Sequence, residues 1–305
     1  MLRHSFVFIP GIGRKTELQL WQRGILTWDD LRSGIHRAGS GRHLRDAAWV
    51  YLDRAQEALA SRQVGFFARH LPRQEHWRVY GEFRDRTVFL DIETTGLSPY
   101  YHRITVVGCY DHRTPRAFIR GRNLEELAGY LRGFDLLVTF NGILFDLAFL
   151  RREFPEITLP PVHLDLRYLL KSLGLGGSQK SIETRLGLSR PEDLRELDGR
   201  RAAALGWRFL RGDQTALTRL LLYNRYDTVN LAPLMDRAYE LKSRQAGFPF
   251  PDRLSAPALV AYGGHPAPSP EERMTAREAT MLSAGGPDAK MVRRTGGETG
   301  LGQEE

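Results

Sequence analysis

The chain has 305 residues, a net charge of +8, and 42% hydrophobic and 10% aromatic content. That length suits one medium domain plus a small accessory unit, and the apolar share supports a packed core, which excludes a fibrous or wholly disordered protein. The lone Cys109 cannot close a disulfide within the chain, and no apolar stretch reaches the ~18 residues of a membrane span, so a disulfide-stapled fold and a membrane protein are excluded and a cytoplasmic one is expected.

The opening MLRHSFVFIPGIG has an apolar run too short for a signal segment, and Pro10-Gly11-Ile12-Gly13 reads as a tight turn. A helix is predicted over 14–23 through Leu18, Leu20 and Trp21, with Gly24 as its C-cap, and Thr27-Trp28-Asp29-Asp30 fits a capping box opening another. Between 45 and 62, Trp49, Leu52, Ala55 and Leu59 form a helical stripe, and 71–84 reads as a connection. The period then changes. Strands are predicted at 88–91, 104–110 and 116–120 as antiparallel neighbours. Helix 123–132, strand 136–140, helix 145–153 and strand 162–166 follow, then helices at 167–172 and 181–186. A long helix is expected from Asp213 to Ala232, where Pro233 should end or kink it. Three antiparallel strands followed by alternation imply a mixed α/β sheet flanked by helices. From 244 to the end, Pro and Gly supply 16 of 62 residues, so a disordered tail is expected there. The domain reading is therefore a basic helical module over 1–72, a linker over 73–85, a catalytic domain over 86–243 and a tail over 244–305.

Residues 1–80 hold 13 Arg or Lys against 7 Asp or Glu, a surplus that suits a phosphate backbone. Arginine dominates the cations, which a GC-rich coding sequence would explain as well as phosphate pairing does. Three acidic stations then stand beside apolar residues: Asp91 and Glu93 in FLDIETTGL, Asp146 in FNGILFDLAFL, and Asp227 in LLLYNRYDTVNL. Asp91 and Glu93, two apart on a strand, share a face and offer hard oxygen donors to Mg²⁺ or Mn²⁺. Asp146 opens a helix, where the dipole alone favours a carboxylate by roughly 0.3–1 kcal/mol. Tyr223 and Asp227, four apart on a helix, also share a face, and a buried Asp there needs either a metal or an arginine such as Arg225. If the fold converges these stations, four carboxylates meet at one point. Two of them 4 Å apart repel by about 4 kcal/mol at an effective dielectric near 20, so such a cluster calls for two divalent cations.

Together the stations resemble the three exonuclease motifs of the DnaQ-like superfamily on a ribonuclease H-like fold, in its DEDDy subgroup, over about 87–232. HWRVYGEFR, GGSQKSIETRLGL and YNRYD are similar, more narrowly, to YprB-like proteins. The resemblance implies a 3′→5′ exonuclease using two Mg²⁺ or Mn²⁺ ions. Asp91 would bridge both ions, Glu93 and Asp227 would complete the water-activating site, Asp146 would support the second ion and Tyr223 would orient the attacking water. Thr94, Thr95 and Asn141 would lie nearest the terminal nucleotide of a DNA or RNA strand.

The segment FIPGIGRKTELQLWQRGILTWDDL resembles the hairpin and second helix of a helix-hairpin-helix unit, with Gly11, Gly13, Arg14 and Lys15 suited to a phosphate. Too few residues precede Gly11 for a normal first helix, and a turn packing a helical module is the plain alternative. GLGGSQKS fails as a phosphate loop but leaves Lys180 within reach of substrate, and His163 and Asp165 read as a strand-end cap. Two further functions stay open: a nucleic-acid-binding protein with a vestigial site, and a structure-selective endonuclease on the same fold.

Overall fold

The computed structural model describes residues 1–34, 42–188, 190, 197–250 and 254. The N-terminal part is helical: α1 (Arg14–Gln22), α2 (Trp28–Gly34), α3 (Arg42–Ala60) and α4 (Val64–His70). Gly11 turns at φ 83°, and Gly13 precedes α1 without a side-chain cap. The capping box at α2 forms as its sequence predicts. Asp30 Oδ2 accepts from the Thr27 backbone at 2.8 Å, and Asp30 N–H donates to Thr27 Oγ1 at 3.1 Å. The buried stripe of α3 is Ala48, Leu52, Ala55 and Leu59; Trp49 is 46% exposed, one position round the helix from where the stripe was expected.

Residues 73–85 are not a linker. Arg73–Val79 form a 3₁₀ helix running into α5 (Tyr80–Phe83), with Trp77, Arg78, Val79, Tyr80 and Phe83 buried. Arg78, wholly buried, donates Nη2 to Glu17 Oε2 at 2.8 Å and Nε to Glu75 Oε2 at 2.6 Å. Both carboxylates answer the buried guanidinium, as burial of a charge demands. A segment so anchored cannot act as a free tether.

The sheet follows: β1 (Thr87–Thr94), β2 (Ile104–Tyr110), β3 (Pro115–Ile119), β4 (Leu136–Thr139) and β5 (Val162–Asp165), in spatial order β3-β2-β1-β4-β5. The meander β1-β2-β3 is antiparallel, while β4 runs parallel to β1 and β5 parallel to β4. One face, with Val88, Leu90, Ile92 and Leu137, packs against α6 (Leu127–Leu131) and α7 (Asp146–Glu153). Two short helices, α8 (Leu166–Lys171) and α9 (Gln179–Arg185), come after β5.

On the other face, α10 (Gly199–Leu210) and α11 (Gln214–Val229) cover the β2–β3 side. The long helix expected over 213–232 is α11, which ends at Val229, and a further helix that was not expected, α12 (Leu231–Gln245), takes Pro233 into its first turn. Proline is accommodated there because first-turn N–H groups have no intrahelical acceptor. Helix α12, buried through Leu231, Leu234, Met235 and Ala238, shares one core with Phe89, Val138, Phe8, Trp28 and Phe67. The helical N-terminal part is therefore fused to the sheet by a common core. Phe248, within the expected tail, stacks on His4 at 4.3 Å, so the body continues at least to that residue. Beyond Phe250 the expected tail, apart from Leu254, lies outside the described residues.

Candidate metal centre

Strand β1 is central and its side chains alternate, so the pattern that buries Leu90 and Ile92 against α6 and α7 places Asp91 and Glu93 on the α11 side. Asp91 lies opposite Gly108 on β2, and the pairing shifts just after Glu93. Gly108 lets α11 come close: a Cβ there would overlap Asn224 Oδ1 and Thr228 Oγ1. That approach delivers Asp227. One carboxylate oxygen each from Asp91, Glu93 and Asp227 lie within 4.8 Å of one another.

Asp146 stands outside that set, in the first turn of α7, although its charge acts on both Asp91 and Glu93. Of the four carboxylates expected at one point, three are thus in mutual reach, and the charge of the fourth is felt by two of them. Between β4, which ends at Thr139, and α7, which opens at Asp146, lies the Asn141-Gly142 turn. Asn141 there has φ 67°, and a Cβ on Gly142 would overlap Thr139 Oγ1.

The electrostatics are those of crowded, buried acids. Burial raises the Asp91 carboxyl well above its usual range, and Asp227, Glu93 and Asp146 add to it. Glu93 is raised for the same reasons, and its buried Oε1 has no hydrogen-bond partner. Burial pushes Asp146 up to about 7. Burial also raises Asp227, with Arg190 opposing. The Tyr223 phenol is driven upward by burial and by Asp227, Glu93 and Asp91, so it stays protonated. Lys180 Nζ sits 4.8 Å from the Tyr223 ring centroid and donates to the Leu197 carbonyl.

Several residues brace the centre that reading the chain did not single out. Asn224, buried, donates Nδ2 to Asp91 Oδ2 at 2.9 Å and to the Asp91 carbonyl at 3.2 Å. Its signal was a polar residue directly after Tyr223 in an apolar helix. Arg190 forms an ion pair with Asp227 and grips Glu183 through Nε and Nη2 at 2.5 and 2.6 Å. Gln179 Nε2 donates to the Asp227 carbonyl at 2.8 Å. Asp165, read as a strand-end cap, accepts from Asn141, Ile143 and Arg167 N–H at 2.8, 3.0 and 3.0 Å, so it also fixes the loop leading to Asp146.

The residues expected next to a terminal nucleotide are engaged locally. Thr94 Oγ1 donates to the Gly96 carbonyl at 2.6 Å, Thr95 Oγ1 accepts from Arg103 N–H at 3.1 Å, and Asn141 Oδ1 accepts from Arg167 Nη1 at 2.6 Å. Gly11 and Gly13 are not brought to the carboxylates. Their hairpin lines a cavity with Arg69 and His70, and these two also border a second cavity beside Asp135 and Pro161, at the starts of β4 and β5. The carboxylates sit toward the opposite strand ends. Arg14 is turned inward, on Glu17 at 2.7 Å and the Ala246 carbonyl at 3.1 Å, whereas Lys15 is exposed.

Acids in mutual reach, Glu93 buried with an orphaned oxygen and Asp91 and Asp227 part-buried, are the donor set a divalent cation satisfies. Residues 88–239 match the sequence model of the RNase_H superfamily. No curated protein matches the chain. Similar solved structures include Brucella melitensis NrnC bound to pGG, at 17% identity, covering 69% of this chain and 92% of that chain with a TM-score of 0.39. The EXO domain of Aedes aegypti Nibbler shows 10% identity, with 56% and 86% covered and a TM-score of 0.37. Escherichia coli RNase D, an exoribonuclease involved in structured RNA processing, shows 17% identity, with 57% and 48% covered and a TM-score of 0.31. The family match, the sheet order and the acid-bearing central strand make residues 88–239 a domain of ribonuclease H-like fold.

Proposed function

We propose that this chain is a divalent-metal-dependent 3′→5′ exonuclease of the DEDDy type, within the YprB-like group, acting on DNA or RNA. The observation that carries the reading is the approach of Asp91, Glu93 and Asp227 oxygens within 4.8 Å, with Glu93 Oε1 buried and unpartnered. Asp91, Glu93, Asp227 and the adjacent Asp146 are the residues that would hold two Mg²⁺ or Mn²⁺ ions. Bound there, such ions supply a water of lowered pKa and neutralise charge developing on the phosphate and the leaving oxygen.

The chain's own groups divide the remaining work. Tyr223 Oη keeps its proton through its raised pKa and orients the attacking water. The Lys180 ammonium, above the Tyr223 ring, adds positive charge on the substrate side. Leu97, Tyr100 and Tyr101 after β1, and Ile143 and Leu144 after β4, are exposed on the loops flanking the carboxylates. Exposed apolar and aromatic side chains in that place suit stacking on splayed bases. Thr94, Thr95 and Asn141 shape the wall beside them. The hairpin at Gly11, Gly13 and Lys15 serves as a separate phosphate contact. Among the described residues no helix is long and apolar enough to cross a membrane, and the buried Cys109 suits the reducing cytoplasm.

The test uses a 5′-labelled linear single strand and a circular strand of the same sequence, each as DNA and as RNA, with Mg²⁺ or Mn²⁺. Stepwise shortening of the linear strand alone is expected, abolished by Asp91→Asn. Cleavage of the circle would replace the exonuclease reading with an endonuclease one, and no hydrolysis of any substrate would remove the nuclease reading.

A further inference from the structure

Asp227 is the one member of the acidic set in direct contact with a cationic side chain among the described residues. An arginine in that place has two opposite meanings: a competitor that occupies the metal's position, or a brace that aims the carboxylate. The contacts decide between them. Arg190 spends Nε and Nη2 on both oxygens of Glu183 and only Nη1 on Asp227 Oδ1. Its side chain is 4% exposed and that of Glu183 1%, so the guanidinium is locked in place and is not free to swing away when a metal arrives. No described residue contacts Asp227 Oδ2 in an ion pair or hydrogen bond, and Nη1 meets Oδ1 as an ion pair without hydrogen-bond alignment.

The charges point the same way. Glu183 (−1) and Arg190 (+1) sum to zero, so the pair takes nothing from the up to −3 that Asp91, Glu93 and Asp227 can offer a cation. Arg190 alone would cancel a third of it. The groups felt by the acids agree: Arg190 is prominent at Asp227 and Tyr223, while at Asp91 and Glu93 the opposing groups are Asn224 and Lys180. Arg190 thus bears on Asp227 and on Tyr223, one turn before it on the same helix. Gln179 completes the support, joining Glu183 Oε1 at 2.9 Å to the Asp227 backbone carbonyl at 2.8 Å.

We infer that the buried Glu183–Arg190 pair is a charge-neutral positioning device for the metal centre, fixing Asp227 through Oδ1 so that Oδ2 remains available as the ligand. The inference rests on the metal-centre reading above. A carboxylate ligand held by such an outer partner loses roughly 10–100-fold in metal affinity when the partner is removed.

The experiment measures Mn²⁺ binding by calorimetry, and melting in chelator, on the full chain. Glu183→Gln with Arg190→Gln replaces the ion pair by two amides, and the only charge that loses a partner is that of Asp227, which is part-exposed and free to take up a proton, so the fold is kept. Mn²⁺ affinity is expected to fall 10–100-fold while the melting temperature in chelator changes little. Glu183→Gln alone leaves Arg190 uncompensated and should weaken Mn²⁺ binding too, without loss of fold. Unchanged affinity in both variants would reduce the pair to a packing role and overturn the inference. Tighter binding in the double variant would make Arg190 a competitor and overturn it as well. A wild-type chain that binds no Mn²⁺ would instead remove the metal-centre reading on which the inference stands.

Discussion

The crowding of acids makes the metal-free protein sensitive to pH in a direction opposite to that of ordinary ion-paired carboxylates. Asp146 is raised from 3.8 to about 7 by burial. A folded-state value above the unfolded one means that the fold prefers the protonated acid. The stability this provides is complete below the unfolded value and lost as pH rises through the folded one. Between pH 5 and pH 8 about two units of that difference are crossed, which at ~1.4 kcal/mol per unit amounts to roughly 3 kcal/mol. At about 2–4 °C per kcal/mol for a chain of this size, the corresponding fall in melting temperature is roughly 6–12 °C. Asp91, Glu93 and Asp227 are raised too and act in the same sense. Neutral buried histidines act the other way: burial lowers His112 to about 4 and also lowers His4, His76 and His163, so these gain stability as pH rises toward neutrality. The informative quantity is therefore a difference. In chelator, wild type should lose roughly 3 kcal/mol more than Asp146→Asn between pH 5 and pH 8, followed by thermal melts at each pH. Mn²⁺ should oppose the loss increasingly as pH rises, because ligating carboxylates must be ionised. Identical pH profiles for wild type and Asp146→Asn would refute the assignment of a buried, protonated acid beside the centre.

Gly108→Ala tests the close approach of α11: its Cβ would overlap Asn224 Oδ1 and Thr228 Oγ1 and lie 3.0 Å from Asn224 Cγ. Overpacking of this kind costs about 1–3 kcal/mol, so a clear drop in melting temperature with weaker Mn²⁺ binding is expected, and a variant equal to wild type in both would contradict the packing described. Asp165→Ala frees the N–H groups of Asn141, Ile143 and Arg167. A loss of about 1–3 kcal/mol is expected, with faster amide hydrogen exchange over 141–146 as the measurement and unchanged exchange as the contrary result.

The legible parts of this molecule are those where local pattern and tertiary role coincide. In β1 the run Val88-Phe89-Leu90 followed by Asp91-Ile92-Glu93 encodes both a central strand and a one-sided pair of acids, and both are found. At Thr27–Asp30 the capping chemistry is wholly local. Helix α10 carried comparable signals, with Asp198 accepting from Arg201 N–H and Ala202, Leu205 and Phe209 buried together. Gly199 and Gly206 within it hide the period. Gly206 is there because α10 crosses the sheet closely: a Cβ would lie 3.3 Å from the Thr94 carbonyl. Helix α12 escaped for a related reason, since a proline that marks the end of one helix fits equally well in the first turn of the next. Arg190 carries no local signature, because its role exists only once Glu183 and Asp227 have been brought to it by separate helices.

The N-terminal charge surplus shows how composition and surface diverge, and the divergence can be measured. Arg3, Arg14, Arg32, Arg62 and Arg78 all enter ion pairs, with Glu82, Glu17, Asp53, Asp85 and Glu17 respectively, so much of the basic charge serves cohesion. Lys15 and Arg69, by contrast, are exposed and enter no ion pair with a described residue. Arg69 faces the hairpin across a cavity of about 510 Å³ and borders, with Arg54 and Arg62, one of about 600 Å³. A phosphate contact in this part should therefore depend on Lys15 and Arg69 and hardly at all on Arg14. Each lost phosphate contact lowers the slope of log affinity against log salt by about 1. Lys15→Glu with Arg69→Glu is thus expected to flatten the salt dependence of single-strand binding by roughly 2, with melting temperature retained. Arg14→Ala should do the reverse, lowering stability by removing one of the two arginines paired with the buried Glu17 while leaving the slope intact. A slope unmoved by the double charge reversal would confine nucleic-acid contact to the carboxylate end of the sheet and leave the hairpin as packing alone.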